Sequence, residues 1–340
     1  MTTLTVEAVS DIRTLVTLEP AWWSLWHRAR SATPFQSPAW LIPWWRAFAP
    51  GELFVVVVWQ SARLLGMLPL YIDSTSTDVR LLPLGVSVSD YIDVLVDAAW
   101  ENEVLAAFAG FLATGPTPWA EWDMPDLPAE ALALALPASI AGEDIVTATT
   151  PAPVLTLPTD AGGLDAAIPA RKRRDIRMAR HRADRRGPVD IQRADAASVA
   201  GAIDELVRLH SARWHNRGEA GVLADDRLRR FHGEAAPRLV QANLARIHTL
   251  SIGGEIAGVY YGLAYNQRHY AYLCGFDPAF ERESPGTILI AHAIEDAVCE
   301  GAAEFHFLRG GEAYKYQWGA VDRWNSHRAI RRSPRHALAS

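Results

Sequence analysis

Glu312, Tyr314 and Lys315 stand close together near the end of the chain, in "FHFLRGGEAYKYQWG" (305–319). A carboxylate there can take a proton and a phenol can give one. An ammonium group can neutralise a phosphate or a developing oxyanion. The apolar run "FHFL" predicts a strand. It breaks at Arg309-Gly310-Gly311, where glycine tolerates backbone angles that other residues resist. A second set is "RESPGT" (282–287), with Arg282, Ser284, Gly286 and Thr287. Ser284 is the expected N-cap and Pro285 the first residue of a helix. The outward amides and the dipole at such a helix start favour an anion. In "SDYIDVLV" (89–96), Asp90 suits an acceptor amine as ligand or base, with Tyr91 beside it; a turn-forming aspartate is the other reading. Arg213, Trp214 and Arg217 in "LHSARWHNRG" (209–218) form a basic, aromatic helix end. It suits an acceptor or a phosphate, or else a core tryptophan flanked by solvated arginines.

The elements that must position these residues follow from periodicity. A tryptophan-rich helical region opens the chain (Trp22, Trp23, Trp26, Trp40, Trp44, Trp45), and spacings of three and four mark these rings as core. Two strands around a polar turn are predicted over 53–72, a third apolar stretch over 80–97, and a helix near 100–113. The pattern then restarts. Helices are predicted over 201–218 and 225–244. Three strands follow over 246–280, turning at Gly253-Gly254 and Asn266-Gln267, and then a helix over 285–300 that ends at Gly301. "SARLLGMLPLYI" (61–72) and "GGEIAGVYYGLA" (253–264) superpose with Gly66 on Gly258, which suggests a duplicated α/β domain.

Between the halves lies "RKRRDIRMARHRADRR" (171–186), with nine Lys/Arg against Asp175 and Asp184, so the remainder of this chain of net charge −6 is strongly acidic. Ile176, Ala179 and Ala183 fall on one side at helical spacing, and Gly187-Pro188 stops the run. The basic remainder is either a solvated face or a site for phosphates or RNA. By net charge the chain as a whole is not expected to bind nucleic acid, and no DNA partner is expected. No run of apolar residues is long enough to span a membrane. The N-terminus lacks a basic flank and apolar core, so no signal peptide is expected. Cys274 and Cys299 have no metal-ligand spacing, no metal site is expected, and a cytoplasmic location is the simple expectation.

Taken together, "GFDPAFERESPGTILIAHAIEDA", "FHFLRGGEAYKYQWG", "LHSARWHNRG" and "SDYIDVLV" resemble the FemABX-related, CelD-like branch of the GNAT acyltransferases. The resemblance covers nearly the whole chain. It implies an α/β (α+β) protein of two tandem GNAT-like domains, each a mixed, mostly antiparallel sheet flanked by helices. The boundaries are expected at 1–160 and 161–340. It implies transfer of an acyl group from acetyl-CoA or another acyl-CoA to an amine on a small molecule, glycan or peptide. The implied mechanism is direct attack in a ternary complex. The donor pyrophosphate is expected at Arg282, Ser284, Gly286 and Thr287. Tyr314 would be the acid, Lys315 the neutralising cation, and Glu312 or Asp90 the base. Relatives in the wider group use aminoacyl-tRNA, so an RNA-linked donor is the alternative. A binding module that has lost catalysis is a third reading. Two departures stand out: His306 occupies the family's usual aspartate position, and the Arg282–Thr287 loop has altered glycine spacing.

Overall fold

The structure, a computed structural model, describes residues 3–75, 78–115, 119–137, 142–215 and 221–332; Arg217 and the side chains of Arg213 and Trp214 lie outside the described part. The chain divides into two compact units, Met1–Thr150 with Trp324–Ser340, and Pro151–Arg323. The division precedes the one expected at 160/161 because Val154, Leu155 and Thr156 already pair with a strand of the second unit. The C-terminal segment expected in the second domain belongs to the first unit, because residues 326–331 pair with a strand there.

The first unit contains β1 (Thr5–Val9), α1 (Ile12–Thr17), α2 (Glu19–Arg28), α3 (Pro38–Phe48), β2 (Glu52–Gln60), β3 (Arg63–Asp73), β4 (Arg80–Pro83), β5 (Leu95–Val96), α4 (Glu101–Thr114) and β6 (Glu121–Leu127). The start of β7 (Glu143–Thr156) also belongs to it. The second unit takes the rest of β7, then α5 (Leu164–Ala167), α6 (Ala170–Arg186), β8 (Val189–Arg193), α7 (Val199–His215), α8 (Asp226–Gln241), β9 (Ala245–Ile252), β10 (Glu255–Tyr265), β11 (Arg268–Phe276), α9 (Pro285–Cys299), β12 (Glu304–His306) and α10 (Ala313–Tyr316). The last strand, β13 (Val321–Arg331), begins in the second unit and ends in the first.

Within the first unit the strands run β1-β2-β3-β4-β6-β13, with β5 beside β3; neighbours are antiparallel except β4 and β6. Within the second unit they run β7-β12-β11-β10-β9-β8, antiparallel except β11 and β12. The hairpins form where the sequence predicts them. Gly253 and Gly254 (φ 63° and 85°) join β9 to β10, and Asn266 and Gln267 (φ 49° and 58°) join β10 to β11. Two consecutive left-handed residues give a turn whose twist matches the flanking strands.

The superposed glycines do the same job in each unit. A Cβ on Gly66 would lie 2.3 Å from Val104 of α4, and one on Gly258 would lie 2.9 Å from Leu289 of α9. Each sits beside a register shift in its hairpin, which bends the strand under the helix. Of the N-terminal tryptophans, Trp22, Trp26, Trp40, Trp44 and Trp45 are core, as their spacing predicts, while Trp23 is only half-buried. Trp22, Trp26 and Trp40 are buried, and their indole N–H groups donate to Gln36 O, Thr33 O and Ser89 Oγ.

Candidate functional site

The site in the second unit is a fork in its sheet. β11 and β12 pair in parallel over Arg268–Tyr270 and Glu304–His306 only, while β11 runs on to Phe276. Helix α9 lies on one face of this fork. Phe305, Phe307 and Tyr260 point into the apolar cluster under α6 and α9. Strand alternation sends His306, between the two phenylalanines, to the opposite face, where its ring meets Tyr270 at 5.0 Å. Tyr261 faces the same way and packs edge-on against His232 of α8 at 5.8 Å. Burial lowers the His232 pKa to about 3, so that imidazole is neutral.

At the start of α9, Pro285 is the first helical residue, as its sequence predicts, and Gly286 offers the first N–H of the helix. Ser284 holds the cap position but not the cap bond. It is left-handed (φ 55°), and its Oγ accepts from Arg182 Nη2 at 3.2 Å. A cation at the positive end of a helix is unfavourable by itself. The Nε of Arg182 is also buried without a hydrogen-bond partner among the described residues. Both facts fit a helix start built for an anion. Arg282 is exposed on the same loop, and the first turn of α9 carries no acidic residue.

The basic helix α6 is what delivers Arg182 here. Arg186 bonds Ala279 O and Glu283 and lies over the Phe280 ring at 3.8 Å. Arg180 pairs with Glu295 of α9, and the buried Lys172 lies over Trp318 at 4.3 Å. Its Arg171, Arg174, Arg177 and Arg185 are exposed, and among the described residues they have no ion-pair partner. The segment therefore divides between two readings. Its inward cations staple the loop before α9 and the helix itself, and its outward ones form a bare basic face.

The turn after β12 differs from its expected use. Leu308 (φ 60°) and Gly310 (φ 106°) are left-handed, and a Cβ on Gly310 would collide with the Glu312 carboxylate at 2.6 Å. Lys315 is buried, and its Nζ donates to Leu308 O (3.1 Å), Arg309 O (2.7 Å) and Gly310 O (3.0 Å). Glu312 pairs with the same ammonium at 2.9 Å. The structure thus engages Lys315 and Glu312 in the turn itself, because a buried ammonium needs all its N–H groups satisfied. Tyr314 is half-exposed on α10, with Phe307 edge-on at 6.5 Å.

In the first unit, Asp90 and Tyr91 are both buried. Asp90 O accepts from Asn325 Nδ2, and Tyr91 O accepts from Gln36 Nε2, while the Tyr91 ring packs edge-on against Phe35. The backbone of this pair thus ties its loop to β13 and to the turn before α3.

Sequence reading missed the partners of His306. Glu304 Oε2 lies 3.0 Å from His306 Nε2, and Arg323 and Arg268 flank Glu304 at 3.1 and 3.2 Å. The hydrogen bond from His306, with Arg323 and its charge, holds the Glu304 carboxyl well below the usual range. Burial is the main cause that lowers the His306 pKa. The i, i+2 spacing of Glu304 and His306 in a strand was the available signal. Among the described residues no group of three His, Cys, Asp or Glu is arranged to hold a metal ion, and no helix is long and apolar enough to cross a membrane.

Residues 170–316 match the family model described as an acetyltransferase (GNAT) domain. No curated protein matches the chain. Among solved structures, FemX superposes with a TM-score of 0.67 at 10% identity, over 98% of this chain and 99% of that one. The C-terminal domain of a putative lysylphosphatidylglycerol synthetase from Agrobacterium fabrum superposes with a TM-score of 0.59 at 12% identity, over 95% and 94%. L-PGS from Bacillus licheniformis does so with a TM-score of 0.58 at 12% identity, over 93% of each. Residues 170–316, within the second unit, are thus similar to GNAT acetyltransferase domains, and the chain as a whole shares the fold of FemX.

Proposed function

We propose that the protein is an N-acyltransferase that moves an acetyl or longer acyl group from acyl-CoA to an amine. The observation that carries this reading is the start of α9. It lies beside the β11/β12 fork, has no acidic residue in its first turn, and has Arg182 directed at Ser284. The donor pyrophosphate would lie against Gly286 N–H, Thr287, Arg182 and Arg282. The thioester would enter the fork, with its carbonyl against a backbone N–H of β11 beyond Tyr270. A neutral amine attacks the carbonyl carbon and gives its proton to a base or a water chain. The tetrahedral oxyanion then collapses, the C–S bond breaks, and Tyr314 protonates the leaving thiolate. Lys315 and Glu312 serve this step indirectly, by fixing the turn that carries Tyr314. The acceptor, on a small molecule, glycan or peptide, would be taken up in the cytoplasm. Calorimetry with acetyl-CoA and longer acyl-CoAs tests the donor. Binding to the folded protein that is weakened in Arg182→Ala supports the reading, and no heat with any acyl-CoA sinks it.

A second reading rests on the outward face of α6. Arg171, Arg174, Arg177 and Arg185 suit the phosphates of an aminoacyl-tRNA donor. Filter binding with charged tRNA across a salt series tests this. Retention that falls steeply with salt, and that is lost when Arg174 and Arg177 become Glu, supports it; no retention removes it.

A further inference from the structure

Only two of the 33 basic residues, Lys172 and Lys315, are lysines, and both are buried. Lysine is among the side chains least often buried, so a chain that simply favours arginine would keep its few lysines exposed. These two instead meet at one short element, helix α10 (Ala313–Tyr316), which carries Tyr314. We propose that Lys172 is a positioning residue: by holding Trp318 to helix α6 it sets α10, and with it Tyr314. The inference rests on the acyl-transfer reading, in which Tyr314 is the acid, and deepens it.

Helix α10 is four residues long, too short to hold its own conformation. It is fastened on two sides. On one, the Lys315 ammonium fills the cage of Leu308, Arg309 and Gly310 carbonyls. On the other, Trp318 is fully buried, and its backbone N–H donates to Lys315 O at 3.2 Å. Gly319 (φ 87°) then brings the chain against the start of α6. A Cβ there would lie 3.0 Å from Ala167 O and 3.3 Å from Pro169. Lys172, in the first turn of α6, places its Nζ 4.3 Å from the centre of the Trp318 ring. From Trp318 the packing runs through Phe307, 6.4 Å away, to Tyr314, edge-on to Phe307 at 6.5 Å.

The choice of lysine has a physical reason. The other eight basic residues of α6 are arginines, and the single lysine is the one turned onto the indole. A compact ammonium brings one charge to the ring face, whereas a guanidinium is a wider plane with five N–H groups to satisfy. Burial lowers the Lys172 pKa and Asp175 opposes that. The indole face favours the charged form.

Helix α6 also delivers Arg182 to the start of α9. Lys172 precedes Arg182 by ten residues, about 15 Å along a helix axis. One rod thus spans from the proposed phosphate site to the turn that carries the proposed acid. Its Arg182 end bears on holding the donor, and its Lys172 end bears on the chemical step.

The test separates kcat from donor affinity. Lys172→Met keeps the packing of an unbranched side chain and removes the charge. Thiol release from acetyl-CoA with methylamine, glucosamine and glycinamide as probe amines gives kcat, and calorimetry gives the acetyl-CoA Kd. A displacement of about 1 Å at a reacting group costs on the order of 100-fold. We expect kcat to fall about 10- to 100-fold in Lys172→Met, with Kd within about twofold of wild type. Trp318→Leu should behave alike, and the double variant should be no slower than the slower single, because both act through one contact. Wild-type kcat in Lys172→Met would overturn the assignment. So would a weakened Kd with kcat unchanged, or single losses that multiply in the double variant. With two lysines in the chain, lysine-selective NMR also reads the contact without turnover. One ε-methylene signal should be shifted upfield by the indole ring in wild type, and its nitrogen should be an ammonium at neutral pH. No ring-shifted lysine, or a neutral amine, would overturn the proposal even if the Trp318 variant fails to fold. A ring-shifted lysine in a wild type that releases no thiol with any probe amine would instead strike the acyl-transfer reading, and with it the role given to Lys172.

Discussion

Helix α4 in the first unit and helix α9 in the second cross matching glycines, Gly66 and Gly258, but begin differently. The first turn of α4 carries Glu101 and Glu103, and the buried Asp97 just before it is held by Arg28 and Arg63. The first turn of α9 carries no acid, and Arg182 leans on its cap. The positive end of α4 is thus already answered by the chain's own carboxylates, while that of α9 awaits an anion. Each unit also folds a loop around one buried ionisable group, an acid in the first and a base in the second. Asp93 accepts from Val94, Leu132 and Ala133 N–H groups at 2.8–3.0 Å, and Lys315 donates to three carbonyls. One scaffold, used twice, keeps its packing rules and changes its electrostatics: of these two helix starts, that of α9 is the one without acidic residues.

The largest expected effect is on the Lys315 turn. Lys315→Met would strip three buried carbonyls of their donor and leave Glu312 without its cation. Removing a buried, fully bonded charge costs about 3–5 kcal/mol, read as a fall in the denaturant midpoint. A loss under about 1 kcal/mol would mean the turn does not depend on it. Next, Thr287→Glu, which gives α9 the acidic first turn of α4, should weaken acetyl-CoA binding at least tenfold, about 1.4 kcal/mol. Glu101→Gln with Glu103→Gln in α4 should leave that affinity unchanged. Unaltered binding by Thr287→Glu would erase the contrast between the two helices.

Gly66→Ala and Gly258→Ala should each cost about 1–3 kcal/mol through overpacking under their helices. With the donor site proposed at α9, only Gly258→Ala should also raise the donor Kd. Equal effects on donor affinity would break the comparison.

The smallest effect concerns pH. Burial raises the Asp93 pKa to about 7, against three backbone donors that favour the carboxylate. The folded state then binds a proton more readily than the unfolded chain, so this group's contribution falls as pH rises from about 4 to about 7. Asp93→Asn should flatten the pH dependence of stability over that window, measured by thermal melts. An unchanged slope would show that the three amides prevail over burial.

Much of the fold was legible in the sequence. The hairpin turns at Gly253-Gly254 and Asn266-Gln267, the helix starting at Pro285 and the Gly66/Gly258 match all rest on local chemistry, and local chemistry survives into the fold. The candidate site was less legible. Ser284 sits where a cap was expected, but its conformation is left-handed and its hydroxyl answers Arg182, 102 positions away. The sequence offers Lys315 as a cation for a phosphate or a developing oxyanion. Its partners are carbonyls that only the Gly310 turn brings around it.

By itself, the sequence determined the periodicity of strands and helices, the glycine turns, the proline helix start and the concentration of charge on one helix. These depend on residues within a few positions of each other. Tertiary structure alone decided which arginines of α6 pair inward and which stay bare, and that Lys315 holds a loop. It also decided that His306 shares a strand fork with Glu304, Arg268 and Arg323. Those outcomes depend on which carboxylates and carbonyls arrive from distant segments, and on how much water burial removes. Neither quantity is written in local spacing.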